Sequence, residues 1–244
     1  DAGKEITSGF HNTAVGEGAL MNITTGQGNT AIGEEALMNN TNGIYNTAIG
    51  QSALINNTSG QYNTAVGDGT LYYNTSGQYN TAIGSFALRR NVANNNSIAI
   101  GNSAMSNADN RATGRSTYNI GIGYFALRGS SNTENNTGLN NIAIGASAME
   151  DNSAGYHNIA IGTNSLWSNE GNFNTSIGYQ SLRSNTTGAE NIALGVNVLE
   201  YSTTGSNNLA IGSWSMNGNN TGSDNVAVGE FSLAGNKGNS RSTA

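Results

Sequence analysis

Short apolar triplets alternate with longer polar stretches along the whole chain. Each triplet has Thr or an aliphatic residue, then Ala, Ser or Gly, then Ile, Val or Leu, and glycine follows, as in the segment 30–33 (TAIG). β-Branched residues favour strands, and a period of two puts the first and third residues of a strand on one face. A small residue followed by Leu or Met comes three and four residues after the glycine, as in Ala36-Leu37.

The closing glycine of the triplet marks a repeat that occurs thirteen times. The spacing between successive glycines is 17 residues nine times, 16 once and 22 twice. The glycines are Gly16, Gly33, Gly50, Gly67, Gly84, Gly101, Gly123, Gly145, Gly162, Gly178, Gly195, Gly212 and Gly229. The repeats cover about residues 8–235, so we interpret residues 1–244 as a single repeat domain with irregular ends at 1–7 and 236–244.

One repeat is predicted to form two short strands and two bends. The glycine permits a tight bend, and a polar segment such as 56–62 (NNTSGQY) favours a turn back. A single coil buries too little to be stable alone, so the copies are predicted to stack as an all-β parallel solenoid. We expect Thr30 and Ile32 to face the interior and Ala31 to face outward, where a row of small residues invites close packing of another chain.

Composition narrows the functions that this solenoid can have. The chain has 42 asparagines and 34 glycines, no cysteine and no proline, and a net charge of −6. The absence of cysteine excludes disulfides and thiolate metal sites. The negative charge argues against nucleic-acid binding, and no apolar run reaches the roughly 20 residues of a membrane span, so direct membrane insertion is not expected.

The segments 96–101 (NSIAIG), 140–145 (NNIAIG) and 225–229 (NVAVG) resemble the head repeats of trimeric autotransporter adhesins. The longer unit, NTAIG followed by AL and then TSGQY, resembles repeats of bacterial and phage-type tail-fibre proteins that carry a C-terminal self-cleaving chaperone. Because the unit is mostly 17 residues long and residues 1–244 show no coiled-coil stalk or membrane anchor, we expect the tail-fibre variant to be the closer one. The resemblance implies a left-handed parallel β-roll, a homotrimer, and an adhesive or structural role in an extracellular fibre on a cell surface or a phage-like particle.

Two features are candidates for contact with a glycan or protein receptor. An aromatic row is formed by Tyr45, Tyr62 and Tyr79, which precede three consecutive repeats of the triplet; packing of the rings on each other is the favoured interpretation, and receptor contact is the alternative. The two 22-residue repeats contain insertions, in segments 106–118 and 128–140, and insertions in repeat proteins form protruding loops. The candidate residues of these loops are Asp109, Asn110, Arg111, Arg115, Arg128, Asn132 and Glu134.

The remaining rows have simpler interpretations. The asparagines that open the triplets, such as Asn29 and Asn46, are expected to form a ladder of bonded amides rather than a ligand surface. No catalytic residues are identified, and neither a metal site nor a cofactor is expected, so the chain is not predicted to be an enzyme. Two alternative functions stay open. One is an ice-binding solenoid, whose threonine row would be Thr13, Thr30, Thr47, Thr64 and Thr81. The other is a hexapeptide-type acyltransferase, although only the segment 32–37 (IGEEAL) matches one hexapeptide and the following residues do not continue the pattern.

Overall fold

A computed structural model shows an all-β parallel solenoid of about thirteen turns with almost no helix, as the repeats predict. The structure describes residues 2–3, 7–235 and 237–244. These form two compact units, Asp1–Asn119 with Ser131–Glu134, and Ile120–Ser130 with Asn135–Ala244.

Each turn of the solenoid contributes one strand of three residues. The first unit holds β1 (Thr13–Val15), β2 (Thr30–Ile32), β3 (Thr47–Ile49), β4 (Thr64–Val66), β5 (Thr81–Ile83) and β6 (Ile98–Ile100). The second unit holds β7 (Ile120–Ile122), β8 (Ile142–Ile144), β9 (Ile159–Ile161), β10 (Thr175–Ile177), β11 (Ile192–Leu194), β12 (Leu209–Ile211) and β13 (Val226–Val228). One 3₁₀ turn, Thr133–Asn135, is the helical segment of the described residues.

Within each unit consecutive strands pair in parallel and in register, so that each residue lies beside its equivalent in the next coil. Ala31 lies opposite Ala48, for example, and Ile32 lies opposite Ile49. The ends predicted to be irregular follow the same register where they are described. The hydroxyl of Thr7 donates a hydrogen bond to the carbonyl of Thr24, and Thr243 forms a parallel β-bridge with Val226.

The prediction of a second strand in each repeat is wrong, because the segment after the glycine is a series of turns. In the coil of β3, Ser52 and Leu54 have φ angles of 54° and 52°, in the left-handed region. Their amides nevertheless donate hydrogen bonds, Ser52 to the carbonyl of Glu34 at 2.8 Å and Leu54 to the carbonyl of Thr70 at 3.0 Å. Neighbouring side chains of a strand point to opposite faces, whereas this conformation buries both Ala53 and Leu54 completely.

The predicted facing of the strands is also wrong. Ala31 and Ala48 are 0% exposed, while Ile32 and Ile49 are 39% and 38% exposed. The alanine row therefore lines the interior and is not available to another chain. The first and third residues of each strand point away from the interior, which reverses the expectation for Thr30 and Ile32.

The narrow interior explains this reversal. In the coil of β3 the enclosed side chains are Asn46, Ala48, Ala53, Leu54 and Asn57, all at 0% exposure. One leucine and two asparagines fill most of this space, so the strand can present only a small side chain to it. Interiors pack densely, and a larger residue at Ala48 would force the coil apart.

Two buried columns of asparagine connect the coils, which confirms the ladder interpretation. The backbone N–H and the Nδ2 of Asn63 both donate to Oδ1 of Asn46, at 3.0 and 3.1 Å, and Nδ2 also donates to the carbonyl of Gly77 at 2.8 Å. In the second column Nδ2 of Asn74 donates to Oδ1 of Asn57 at 2.8 Å and to the same Gly77 carbonyl at 3.2 Å. Each amide thus bonds both to the neighbouring coil and to a turn.

The glycine at the end of each triplet is required for two reasons. Gly50 has a φ of 132°, a backbone angle that residues with a side chain rarely adopt. In addition, a Cβ added there would lie 2.6 Å from the carbonyl carbon and oxygen of Gly67. Gly229 has a similar φ of 129°, but nothing lies within 4 Å of its added Cβ. Gly235 has open space and no positive φ.

Alanine substitutions at these three glycines distinguish the cost of backbone strain from the cost of a steric clash between coils. We expect Gly235→Ala to leave stability almost unchanged and Gly229→Ala to cost about 1–3 kcal/mol through backbone strain. We expect Gly50→Ala to cost more than Gly229→Ala, because the coils must also separate. Thermal and urea denaturation of the three variants measures this order, and equal effects at Gly50 and Gly229 would contradict the stacking argument.

The asparagine column predicts that a carboxylate introduced into it will strongly destabilise the fold. Asn63→Asp puts a buried anion against acceptor oxygens of Asn46 and Gly77, and we expect a loss of about 3–5 kcal/mol at neutral pH. Burial is expected to raise the pKa of the introduced carboxyl in the folded state. The loss relative to the unmodified protein should therefore shrink as the pH falls through that raised pKa, because the folded state then binds the extra proton.

The matched control is Asn42→Asp, at an exposed turn position in the same unit. We expect that change to stay within about 0.5 kcal/mol at every pH. Urea unfolding between pH 4 and 8 provides the comparison. The ladder assignment would be refuted if the two aspartates destabilised the protein equally.

Candidate functional surfaces

The outward residues of the strands form an apolar surface, which we name the strand face: the first and third residue of each strand. Ten of its aliphatic side chains are more than a third exposed: Val15, Ile32, Ile49, Ile83, Ile98, Ile144, Ile177, Ile192, Val226 and Val228. Scattered exposed aliphatics are normal, but contiguous apolar patches mark sites of interaction. Here the parallel register places them side by side in each unit.

The threonine row lies on the strand face, not in the interior. Thr13 is exposed, and Thr30, Thr47, Thr64 and Thr81 are half-buried beside their aliphatic neighbours. The replacement of threonine by isoleucine or leucine in later coils therefore makes the strand face more apolar. From the sequence these positions were expected to face the interior, and the structure shows that they do not.

The aromatic row is brought together as a stack. The ring centroids of Tyr45 and Tyr62 are 5.3 Å apart, and those of Tyr62 and Tyr79 are 5.0 Å apart with nearly parallel planes. All three rings are 43–55% exposed. The rings thus cover each other's faces and present their edges, so mutual packing accounts for the row, and receptor contact there stays a prediction.

The first insertion is held by an internal charge cluster. The side chain of Asp109 is only 2% exposed. It accepts hydrogen bonds from the amide and Nε of Arg111, at 3.1 and 2.8 Å, and a guanidinium nitrogen of Arg115 lies 3.3 Å from it. The hydrogen bond to Asp109 is the main cause that raises the pKa of Arg111, whereas burial lowers the pKa of Arg115. Asp109 thus pairs with both arginines, and the three predicted residues together keep one net positive charge, while Asn110 is exposed.

The second insertion has its own partners. Arg128 lies 3.0 Å from a carboxylate oxygen of Glu150 and 3.3 Å from one of Asp151, and its guanidinium sits 4.9 Å from the ring centroid of Phe125. Asn132 and Glu134 are exposed. The seven predicted loop residues thus include four with structural ion pairs and three, Asn110, Asn132 and Glu134, that are open to solvent.

A groove of about 700 Å³ in the first unit was not predicted. It is lined by Asn39, Asn56, Thr58, Tyr73, Thr75, Arg90, Val92 and Asn110. Apart from Asn110, these residues come six or eight positions after the glycines of consecutive repeats. The sequence signal was the appearance of Tyr73 and Arg90 at positions that hold asparagine in earlier repeats.

Within residues 2–3, 7–235 and 237–244, no three His, Asp or Glu side chains converge on a point that could hold a metal ion. The same residues contain no helix with the length and hydrophobicity to cross a membrane.

Comparison with protein families, with curated proteins and with solved structures finds no match to this chain. Its function must therefore be inferred from its own residues and surfaces.

Proposed function

We propose that this chain is a structural and adhesive segment of an extracellular homotrimeric fibre. The observation that carries the proposal is the strand face, on which large aliphatic side chains are exposed while the alanines are enclosed. Burying such side chains stabilises association by roughly 25 cal/mol per Å² of apolar area removed from water. Isoleucine, rather than the alanine row first considered, is therefore the residue type on which we base the oligomer.

We infer the number of chains and the handedness from the resemblance of the repeats to trimeric adhesin heads and tail fibres. In this arrangement three chains surround one axis, and each chain forms a left-handed roll. Within each unit the strand face suits this arrangement, since it can be turned toward the common axis. The turns and insertions then remain at the outside, where Asn110, Asn132 and Glu134 are exposed. Such a fibre would space or present surfaces for attachment to cells.

The test is the oligomeric state of strand-face variants. We expect light scattering to give a trimer at micromolar concentration for the unmodified chain. Ile32→Lys combined with Ile49→Lys should dissociate it, because two charges per chain would be buried without partners. Circular dichroism should show that the variant keeps its β-structure, since both side chains point away from the interior of the coil.

The control is Val196→Lys, an exposed aliphatic residue that follows a glycine and lies outside the strands. It should remain a trimer. A stable monomer for the unmodified chain would refute the trimer, and dissociation by Val196→Lys alone would mean that the interface is elsewhere.

An ice-binding solenoid is favoured as the second candidate by one observation, the outward position of the threonine row over five consecutive coils. Regular rows of threonine on a flat parallel sheet can order water. A thermal hysteresis measurement on the unmodified chain decides this question. A clear freezing gap that Thr47→Lys abolishes would favour ice binding over the fibre.

A further inference from the structure

We propose that the groove of the first unit binds a short oligosaccharide that carries a carboxylate. This site deepens the adhesive role proposed above, because it names a receptor class, and it rests on that role only for its biological meaning. The groove volume of about 700 Å³ is in the range of small-molecule sites. All of its lining residues belong to one chain and to one unit, so the site does not require the trimer.

The groove is elongated because its residues repeat from coil to coil. One side is formed by Asn39, Asn56, Tyr73 and Arg90, each six residues after its glycine, and the other side by Thr58, Thr75 and Val92, each eight residues after it. With neighbouring strands roughly 4.8 Å apart, the span from Asn39 to Arg90 is roughly 14 Å. This length suits several sugar rings in a row better than one compact ligand.

Tyr73 offers a fixed aromatic surface in the groove. Its ring is 43% exposed and packs edge-on against Tyr72, with the ring centroids 4.8 Å apart. The guanidinium of Arg89 lies 5.7 Å from both centroids and 5.4 Å from that of Phe86. A ring held in this way loses little entropy when a ligand packs on it, and the C–H face of a sugar is a suitable partner.

The amides and hydroxyls beside Tyr73 provide both donors and acceptors. Oδ1 of Asn39 accepts from Nδ2 of Asn22 at 2.9 Å, which leaves its own Nδ2 able to donate into the groove. Nδ2 of Asn56 donates to the carbonyl of Tyr72 at 2.9 Å, which leaves its Oδ1 as an acceptor. Thr75 donates to the carbonyl of Val92 at 3.2 Å and keeps its lone pairs. Sugar hydroxyls both donate and accept, so they match this mixture.

Arg90 supplies the reason for a carboxylate. It is exposed, and among the described residues no carboxylate lies within ion-pair distance of it. Arg111, Arg115 and Arg128 each have an acidic partner, and Arg89 packs on aromatic rings. An unpaired guanidinium at the wall of a groove, in a chain of net charge −6, is suited to a bidentate contact with an anionic sugar.

The experiment is binding of the full chain to a printed array of oligosaccharides. The array carries sialylated and uronate-containing glycans together with the same glycans lacking the acidic group. We expect saturable binding to acidic members and at least tenfold weaker binding to their neutral counterparts. Arg90→Gln should reduce acidic binding about tenfold or more, the effect of one lost charge-assisted contact, and remove most of its salt dependence. Tyr73→Ala should weaken binding to acidic and neutral members alike.

The control variants are Arg241→Gln and Tyr179→Ala, which remove an exposed arginine and an exposed tyrosine of the second unit. Both should bind as the unmodified chain does, and circular dichroism checks that all variants are folded. The proposal is overturned if no acidic glycan binds, or if Arg90→Gln binds as strongly as the unmodified chain. A monomer that binds acidic glycans would refute the fibre alone, and a trimer that binds none would refute the groove alone.

Discussion

The limited space inside a seventeen-residue coil is the constraint on which the rest of the structure depends. That space takes one leucine or methionine, a few small side chains and two asparagines, as Asn46, Leu54 and Asn57 illustrate. Once these are enclosed, the strand can turn only alanine, serine or glycine inward, and its isoleucines must point out. The apolar strand face, and with it the case for association, follows from the small cross-section of the coil.

The repeat spacing and the triplets were sufficient to predict a parallel solenoid, because in-register repetition allows few other arrangements. They were insufficient to decide which face of a strand is inside. A period of two separates Ala31 from Thr30 and Ile32 but does not assign either set to the interior. Hydrophobicity alone would place Ile32 in the interior. The small space that Leu37 and the asparagines leave there accommodates Ala31 instead. The second strand was wrongly predicted because left-handed residues such as Leu54 have no clear sequence signature; their conformation depends on bonds to neighbouring coils.

The candidate site residues were predictable only as segments. Two longer repeats located the insertions, but Asp109 could not be recognised as the buried partner of Arg111 and Arg115 without their positions. Arg90 and Tyr73 were visible as departures from the repeat, yet the groove between their column and the threonines arises from stacking. The lack of a carboxylate within ion-pair distance of Arg90 among the described residues is a property of the folded chain, since residues far apart in the sequence become neighbours when the coils stack.

The asparagine columns also give each unit a direction. Where two asparagines are stacked in a column, the amide of the later one donates to the side-chain oxygen of the earlier one, as Asn63 donates to Asn46 and Asn80 donates to Asn63. The amide dipoles are therefore aligned along the axis of stacking. The backbone bonds between coils run in both directions, but a cut between Asn46 and Asn63 would leave a side-chain oxygen on one surface and a side-chain N–H on the other. Two such surfaces can continue the ladder only head to tail, since head-to-head contact would bring like groups together, so the columns give the stack a polarity.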